Sequence, residues 1–305
     1  MSIVHLLRPR TSLLLFLSFL SGGFSPESGS ADVLVLTSSL PSYSFAVNLL
    51  NGVDGFHVEK ILGDPVEPHD YHLLPSDMRT IGKADLLILV GAGFDDWLRK
   101  PFENNRHSGG TDRQIDLSDA VQADLLKGAD QGKHERYVNP HYWLDPLLSI
   151  RCVSFLAEKL SLLYSDQAEK IRENASSYQK KLEELNVEMT GILLPLRGKA
   201  IITQHDAFPY FAQRFGIVIA EVIEDISGVP PGPGKIGSIY RAAREKEIVA
   251  LCYEPGDPSK LLRQLSKDLR VNLVQLAPLG NGASVQGAYI RGMRGNALSL
   301  VKKAP

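Results

Sequence analysis

Residues 166–194 read DQAEKIRENASSYQKKLEELNVEMTGILL. Within them Ile171, Ala175, Tyr178, Leu182, Leu185, Met189 and Ile192 recur at steps of 4, 3, 4, 3, 4 and 3. That spacing puts one apolar stripe on a continuous helix whose other faces are polar. Its 29 residues reach roughly 43 Å at 1.5 Å per residue, enough to run the length of a small domain. A coiled-coil arm shares this periodicity, but in an otherwise α/β chain the stripe fits a packed spine. A rigid helical connector of this kind restrains large domain closure.

On both sides of the spine, short apolar runs alternate with amphipathic segments. Strands are expected at Val33–Leu36, Phe56–Leu62, Asp85–Val90 and Gln114–Leu117 before it, and at Ala200–Thr203, Ile217–Val222, Ile248–Tyr253 and Leu273–Leu276 after it. Helical stretches separate them, among them Pro75–Lys83, Phe208–Phe215, Ile236–Lys246 and Ser259–Leu269. Repeated strand–helix–strand units argue for parallel sheets covered on both faces. The expected organisation is therefore an α/β lobe over 32–165, the spine over 166–194 and a second α/β lobe over 195–305.

Length agrees, since 305 residues is about two domains' worth of chain. Hydrophobic residues at 44% and charged residues at 22% are ordinary globular values and exclude a disordered or collagenous chain. Lys+Arg 33 against Asp+Glu 35 shows no basic excess, so a nucleic-acid partner is not expected. Mean hydropathy of −0.07 excludes a multi-span membrane protein. Two cysteines, Cys152 and Cys252, cannot make a disulfide scaffold or a four-cysteine zinc site, and two separate buried thiols are expected.

The first 31 residues read as an export signal. Arg8 and Arg10 precede an apolar core from Leu13 to Leu20, and small residues follow through Ala31. The core is too short for a stable membrane anchor. Cleavage is expected after Ala31, with Gly23 as the alternative. Leu20-Ser21-Gly22-Gly23 resembles a bacterial lipobox with glycine in place of the lipidated cysteine, so no lipid anchor is expected. The mature chain loses Arg8, Arg10 and Glu27 and carries 31 basic against 34 acidic residues.

Three of the eight histidines share a context. His69 lies in Pro68-His69-Asp70-Tyr71, His141 in Asn139-Pro140-His141-Tyr142-Trp143-Leu144-Asp145-Pro146, and His205 in Gln204-His205-Asp206-Ala207-Phe208. Each stands where a strand or loop meets a helix, beside a carboxylate and an aromatic. His205 follows the strand Ala200–Thr203 at its carboxyl end, where open α/β sheets place ligands. Neutral imidazole is the commonest metal ligand, and a carboxylate behind it, here Asp70, Asp145 or Asp206, fixes the ring and its tautomer. Three such groups suit tetrahedral Zn²⁺. Spacings of 72 and 64 residues make no sequence-local metal motif, so a joint site and three separate surface or capping histidines both stay open on the residues alone.

The ordered motifs Pro-His-Asp-Tyr with Pro75-Ser76-Asp77, Pro-His-x-Trp-Leu-Asp-Pro and His-Asp-Ala-Phe-x-Tyr-Phe resemble the zinc/manganese solute-binding proteins of bacterial ABC importers. Tyr253-Glu254-Pro255, Ser259-Lys260 and Pro278-Leu279-Gly280 with Tyr289, Met293 and Asn296 extend the resemblance over essentially the whole mature chain. It implies two α/β lobes joined by a long helix, with one metal in the interlobe cleft held by His69, His141 and His205. Histidine at the third position resembles the zinc branch. It further implies a monomer in the periplasm that serves a membrane permease and its ATPase.

One departure stands out: Ala277 occupies the place before Pro-Leu-Gly where many members carry a ligating aspartate. Glu67 and His72 are the nearest candidates for a fourth ligand, and loss of the hard oxygen donor disfavours Mn²⁺. The histidine-rich loop of zinc members is reduced here to His107 and His134.

Gly232-Pro233-Gly234-Lys235-Ile236-Gly237 fits a dinucleotide fingerprint only on paper, since Pro230-Pro231 stand where a strand must precede it. It reads as a turn before a helix. Asn174-Ala175-Ser176 matches a glycosylation acceptor but falls inside the spine. The expected function is capture and delivery of Zn²⁺, with affinity falling below about pH 6 as imidazoles protonate. A secreted zinc hydrolase or lyase is the alternative, because three histidines and an open position also suit catalytic zinc. A manganese-binding or adhesin member of the same family is a further one.

Overall fold

The computed structural model describes residues 32–63, 71–104, 113–128, 138–224, 229–280 and 286–304, and Asp32–Pro305 forms one compact unit. The expected export segment 1–31, His69, Glu67, Asp70, His107 and His134 lie outside the described residues.

The first lobe holds β1 (Val33–Thr37), α1 (Leu40–Leu49), β2 (Phe56–Lys60), α2 (Pro75–Ile81), β3 (Leu86–Leu89), α3 (Arg99–Glu103) and β4 (Gln114–Asp116). After α4 (Pro146–Leu163) comes the spine, α5 (Ala168–Leu193). The second lobe follows with β5 (Ala200–Thr203), α6 (Pro209–Phe215), β6 (Val218–Val222), α7 (Pro233–Glu245), β7 (Ile248–Tyr253), α8 (Lys260–Leu269), β8 (Asn272–Gln275) and α9 (Ala288–Lys303). All eight expected strands form, each within two residues of its expected start. The sheets are wholly parallel, with orders β2-β1-β3-β4 and β6-β5-β7-β8.

Alternation along the central strands explains why both faces are covered. In β3, Leu86 and Ile88 enter the large core, whereas Leu87 and Leu89 enter a separate cluster with Ile81, Leu98 and Phe102. In β5, Ile201 faces the large core and Ile202 faces a cluster under α7 and α8 with Ile239, Leu262 and Leu265. The large core is continuous through both lobes and the spine.

Six of the seven stripe residues on α5 are fully buried; at the seventh turn Leu193 takes the deep position and Ile192 is only partly buried. A helix of 3.6 residues per turn drifts against a strict 4,3 repeat, which shifts the stripe by one residue at its end. The spine packs against α1, α4 and α9. Asn174 donates to the carbonyls of Leu49 (2.9 Å) and Asn51 (2.8 Å), closing the C-terminus of α1 rather than presenting an acceptor for sugar. The glycine-rich turn starts α7, with Gly232 as the N-cap and Pro233 as the first helical residue. Cys152 and Cys252 are free and buried. No helix among the described residues is long and apolar enough to cross a membrane.

Candidate metal centre

β5 ends between its two neighbours, and Gln204 continues that pairing. Its N–H donates to the Cys252 carbonyl (2.8 Å) and its carbonyl accepts from Glu224 N–H (2.8 Å). Its side chain reaches both sides, accepting from Glu254 N–H (3.3 Å) and donating to Glu224 Oε1 (3.0 Å). His205, the next residue, is thus held at the point where the chain leaves the sheet in both directions, and it is 8% exposed.

In the first lobe the matching strand end is closed. Asp95, fully buried, accepts from Val90 N–H (2.7 Å), Gly91 N–H (2.9 Å) and the Ser38 hydroxyl. It thereby joins the carboxyl ends of β1 and β3. Burial, against these hydrogen bonds, pushes its carboxyl up to about 6. Gly91 turns away with φ 79°, and any Cβ there would fall 1.7 Å from Asp116 Oδ1. Over this closed end lies the segment carrying His141. The Tyr142 hydroxyl donates to the Val90 carbonyl (2.6 Å), and Phe94 and Trp143 flank the His141 ring at centroid distances of 6.2 and 5.1 Å.

The second lobe grips the same segment. The Tyr210 hydroxyl on α6 donates to the Asn139 carbonyl (2.7 Å) and accepts from Leu126 N–H (2.8 Å). Trp143 Nε1 donates to the Pro278 carbonyl (2.8 Å). Arg214 pairs bidentately with Asp145, at 2.7 Å on both oxygens. Gly280, with φ 82°, ends the turn that begins at Ala277 and lies against Leu40, whose Cδ2 would lie 2.7 Å from a Cβ.

These ties bring His141, 3% exposed, face to edge with His205 at a centroid separation of 5.3 Å. Two imidazoles sharing a tetrahedral ion at 2.0–2.1 Å place their centroids about 5 Å apart. The pair therefore has a spacing compatible with one shared zinc-sized ion. Among the described residues no group of three His, Cys, Asp or Glu side chains comes together. His72 is exposed and forms no such cluster with the pair.

The groups expected behind the imidazoles are arranged differently from the sequence expectation. Asp145 caps α4, accepting from Leu147 N–H (2.8 Å), and its remaining capacity goes to Arg214. The group behind His141 is an amide: Asn139 Oδ1 lies 3.0 Å from Nδ1 and accepts from His141 N–H at 2.9 Å. Asp206 Oδ2 receives the other end of that amide, from Asn139 Nδ2 at 3.1 Å. An Asn two residues before a histidine can be read as a local turn; its partner 67 residues away cannot. Ala277 is buried, with its N–H donating to Asn296 Oδ1 (2.8 Å) and its carbonyl accepting from Asn296 Nδ2 (2.9 Å). It lines a small, mainly apolar recess with Pro41, Leu279, Tyr289 and Met293.

Comparison with known proteins gives a consistent picture. The family model of ZnuA, described as zinc-uptake complex component A, periplasmic, matches residues 35–303. A protein of Thermotoga maritima is 31% identical over 273 residues, covering 88% of this chain and 92% of that protein. Zinc-binding protein AdcA of Streptococcus pyogenes serotype M6 is 27% identical over 261 residues, covering 81% of this chain. The chain spans about half the length of AdcA, 50%. The SBP FpvC of Pseudomonas aeruginosa in complex with Mn²⁺ superposes with a TM-score of 0.77 at 23% identity, covering 90% of this chain and 98% of that one. That likeness supports the two-lobed fold.

Proposed function

This chain belongs to the ZnuA family of zinc-uptake components, and on that premise we propose that it is the exported binding protein of an ABC importer. It captures one Zn²⁺ between its lobes and delivers it to a membrane permease driven by an ATPase subunit. The observation that carries this reading is the placement of His141 and His205, one from each lobe, 5.3 Å apart. His69 supplies the third imidazole, and Glu67 the fourth donor. Residues 1–31 direct the chain to the periplasm and are removed, leaving a soluble monomer without a lipid anchor.

The protein is not an enzyme; the family consists of binding components. Capture needs no general base, only deprotonated donors and a path to the transporter. Imidazole donors favour zinc over manganese, and Ala277 offers no hard oxygen in place of the aspartate of other members.

The test is an equilibrium titration against a chromophoric chelator, with Zn²⁺ and Mn²⁺ in competition. One tight equivalent of Zn²⁺, little displaced by Mn²⁺, is the expected result. Preference for Mn²⁺ would move the chain to the manganese reading, and absence of tight binding of either ion would overturn the proposal.

A further inference from the structure

The hydrogen bonds around Asn139 determine their own polarity. His141 N–H can only donate, so the end of the amide 2.9 Å from it is oxygen. The Asp206 carbonyl can only accept, so the end facing it is nitrogen, and this same nitrogen reaches Asp206 Oδ2 at 3.1 Å. The amide oxygen also lies 3.0 Å from His141 Nδ1. An oxygen there cannot donate, so in the neutral ring the proton sits on Nδ1 and the lone pair on Nε2. Tyr210 holds the Asn139 carbonyl from α6, so the backbone of the residue is fixed from the second lobe as well. Asn139 itself is 1% exposed.

We propose that Asn139 is a positioning residue: it locks His141 in the Nδ1–H tautomer and ties the His141 loop to the His205–Asp206 loop, so that half the metal site is preformed before metal arrives. The inference deepens the zinc-capture reading and rests on it for its consequence, though not for the tautomer. An imidazole free to choose would place much of its population in the other tautomer. One amide therefore does two tasks, with its oxygen setting the donor atom and its nitrogen setting the distance between lobes. Loss of a group of this kind behind a metal-binding histidine lowers affinity about 10- to 100-fold.

The two tasks separate by substitution. Asn139→Asp keeps an acceptor for Nδ1–H but has no donor for Asp206. Asn139→Ala loses both. The experiment is long-range ¹H–¹⁵N correlation of the imidazoles in the metal-free protein at a pH where they are neutral, followed by chelator-competition titration with Zn²⁺. The wild type is expected to show His141 as Nδ1–H, Asn139→Asp to retain that signature, and Asn139→Ala to shift toward Nε2–H with zinc Kd raised about 10- to 100-fold. A wild-type His141 protonated on Nε2 overturns the proposal, and so does an Asn139→Ala variant with unchanged tautomer or unchanged zinc affinity. Should Asn139→Ala not fold, the wild-type spectrum and Asn139→Asp decide. Because the tautomer is read without metal, its failure is distinct from a failure to bind zinc.

Discussion

At the carboxyl ends of β1 and β3 the backbone closes on a buried carboxylate, Asp95; at the carboxyl end of β5 it closes on the neutral amide of Gln204. The two sheets share one strand order, so the difference lies in side chains. In the first lobe Asp95 satisfies the backbone and Ser38, and His141, the proposed ligand, is carried by a separate segment laid over the top. In the second lobe Gln204 satisfies the backbone from within the ladder, and the next residue, His205, lies against His141. The same topology thus yields one end closed by a buried carboxylate and one that presents an imidazole, the proposed ligand.

This contrast can be broken in order of effect. His205→Ala and His141→Ala should each weaken zinc binding more than about 100-fold, beyond the loss typical of a supporting group. A chelator-competition titration checks this, and unequal losses would show that one lobe dominates. Asp95→Ala should act oppositely, lowering stability by about 3 kcal/mol because buried donors are left unpaired, with zinc affinity unchanged. Denaturant unfolding beside the same titration measures both.

Asp95 also gives the comparison a pH signature. Its carboxyl is pushed from the ordinary 3.8 to about 6. Between these values the folded chain keeps a proton that the unfolded chain has lost. Its contribution to stability is therefore full below about pH 4 and is lost as pH rises through 6, a change of about 3 kcal/mol. The stability margin of wild type over Asp95→Asn should shrink by about that amount between pH 4 and 7 in paired denaturant melts. A constant margin would mean that the carboxylate is charged throughout.

Smaller still, Arg214→Ala should cost about 1–2 kcal/mol, between an exposed and a fully buried pair, since Arg214 is 32% exposed and the α4 cap Asp145 8% in their side chains. Thermal unfolding reads that loss. Burial pushes the Cys152 thiol up to about 12 and Cys252 higher, so both should resist alkylation at pH 8 in the folded chain and react once it is unfolded.

Most of the fold was legible because it is written in local periods. Leu86 to Leu89 form a continuous apolar run, which a strand buried on both faces requires, and the 4,3 stripe of α5 is a helix-face signal that needed only its last residue corrected. The place of His205 just beyond a strand's carboxyl end was legible for the same reason. The support of His141 was not. Asp145 stands four residues on and invites pairing with the ring, yet as a helix cap it is engaged by Leu147 and by an arginine 69 residues away. Asn139 carried no signal of its own in the sequence, and only the folded chain puts Asp206 beside its amide nitrogen. Asp95 gave no signal because its role depends on burial, which no local pattern reports.

On the proposed reading, one ion is shared by histidines from both lobes. Zinc K-edge X-ray absorption on the protein loaded one-to-one, beside His141→Ala and His205→Ala, tests it most directly. A nitrogen/oxygen shell at about 2.0–2.1 Å is expected, with imidazole scattering that drops by one ring in each variant. A spectrum unaltered by either substitution, or one with sulfur in the shell, would contradict it.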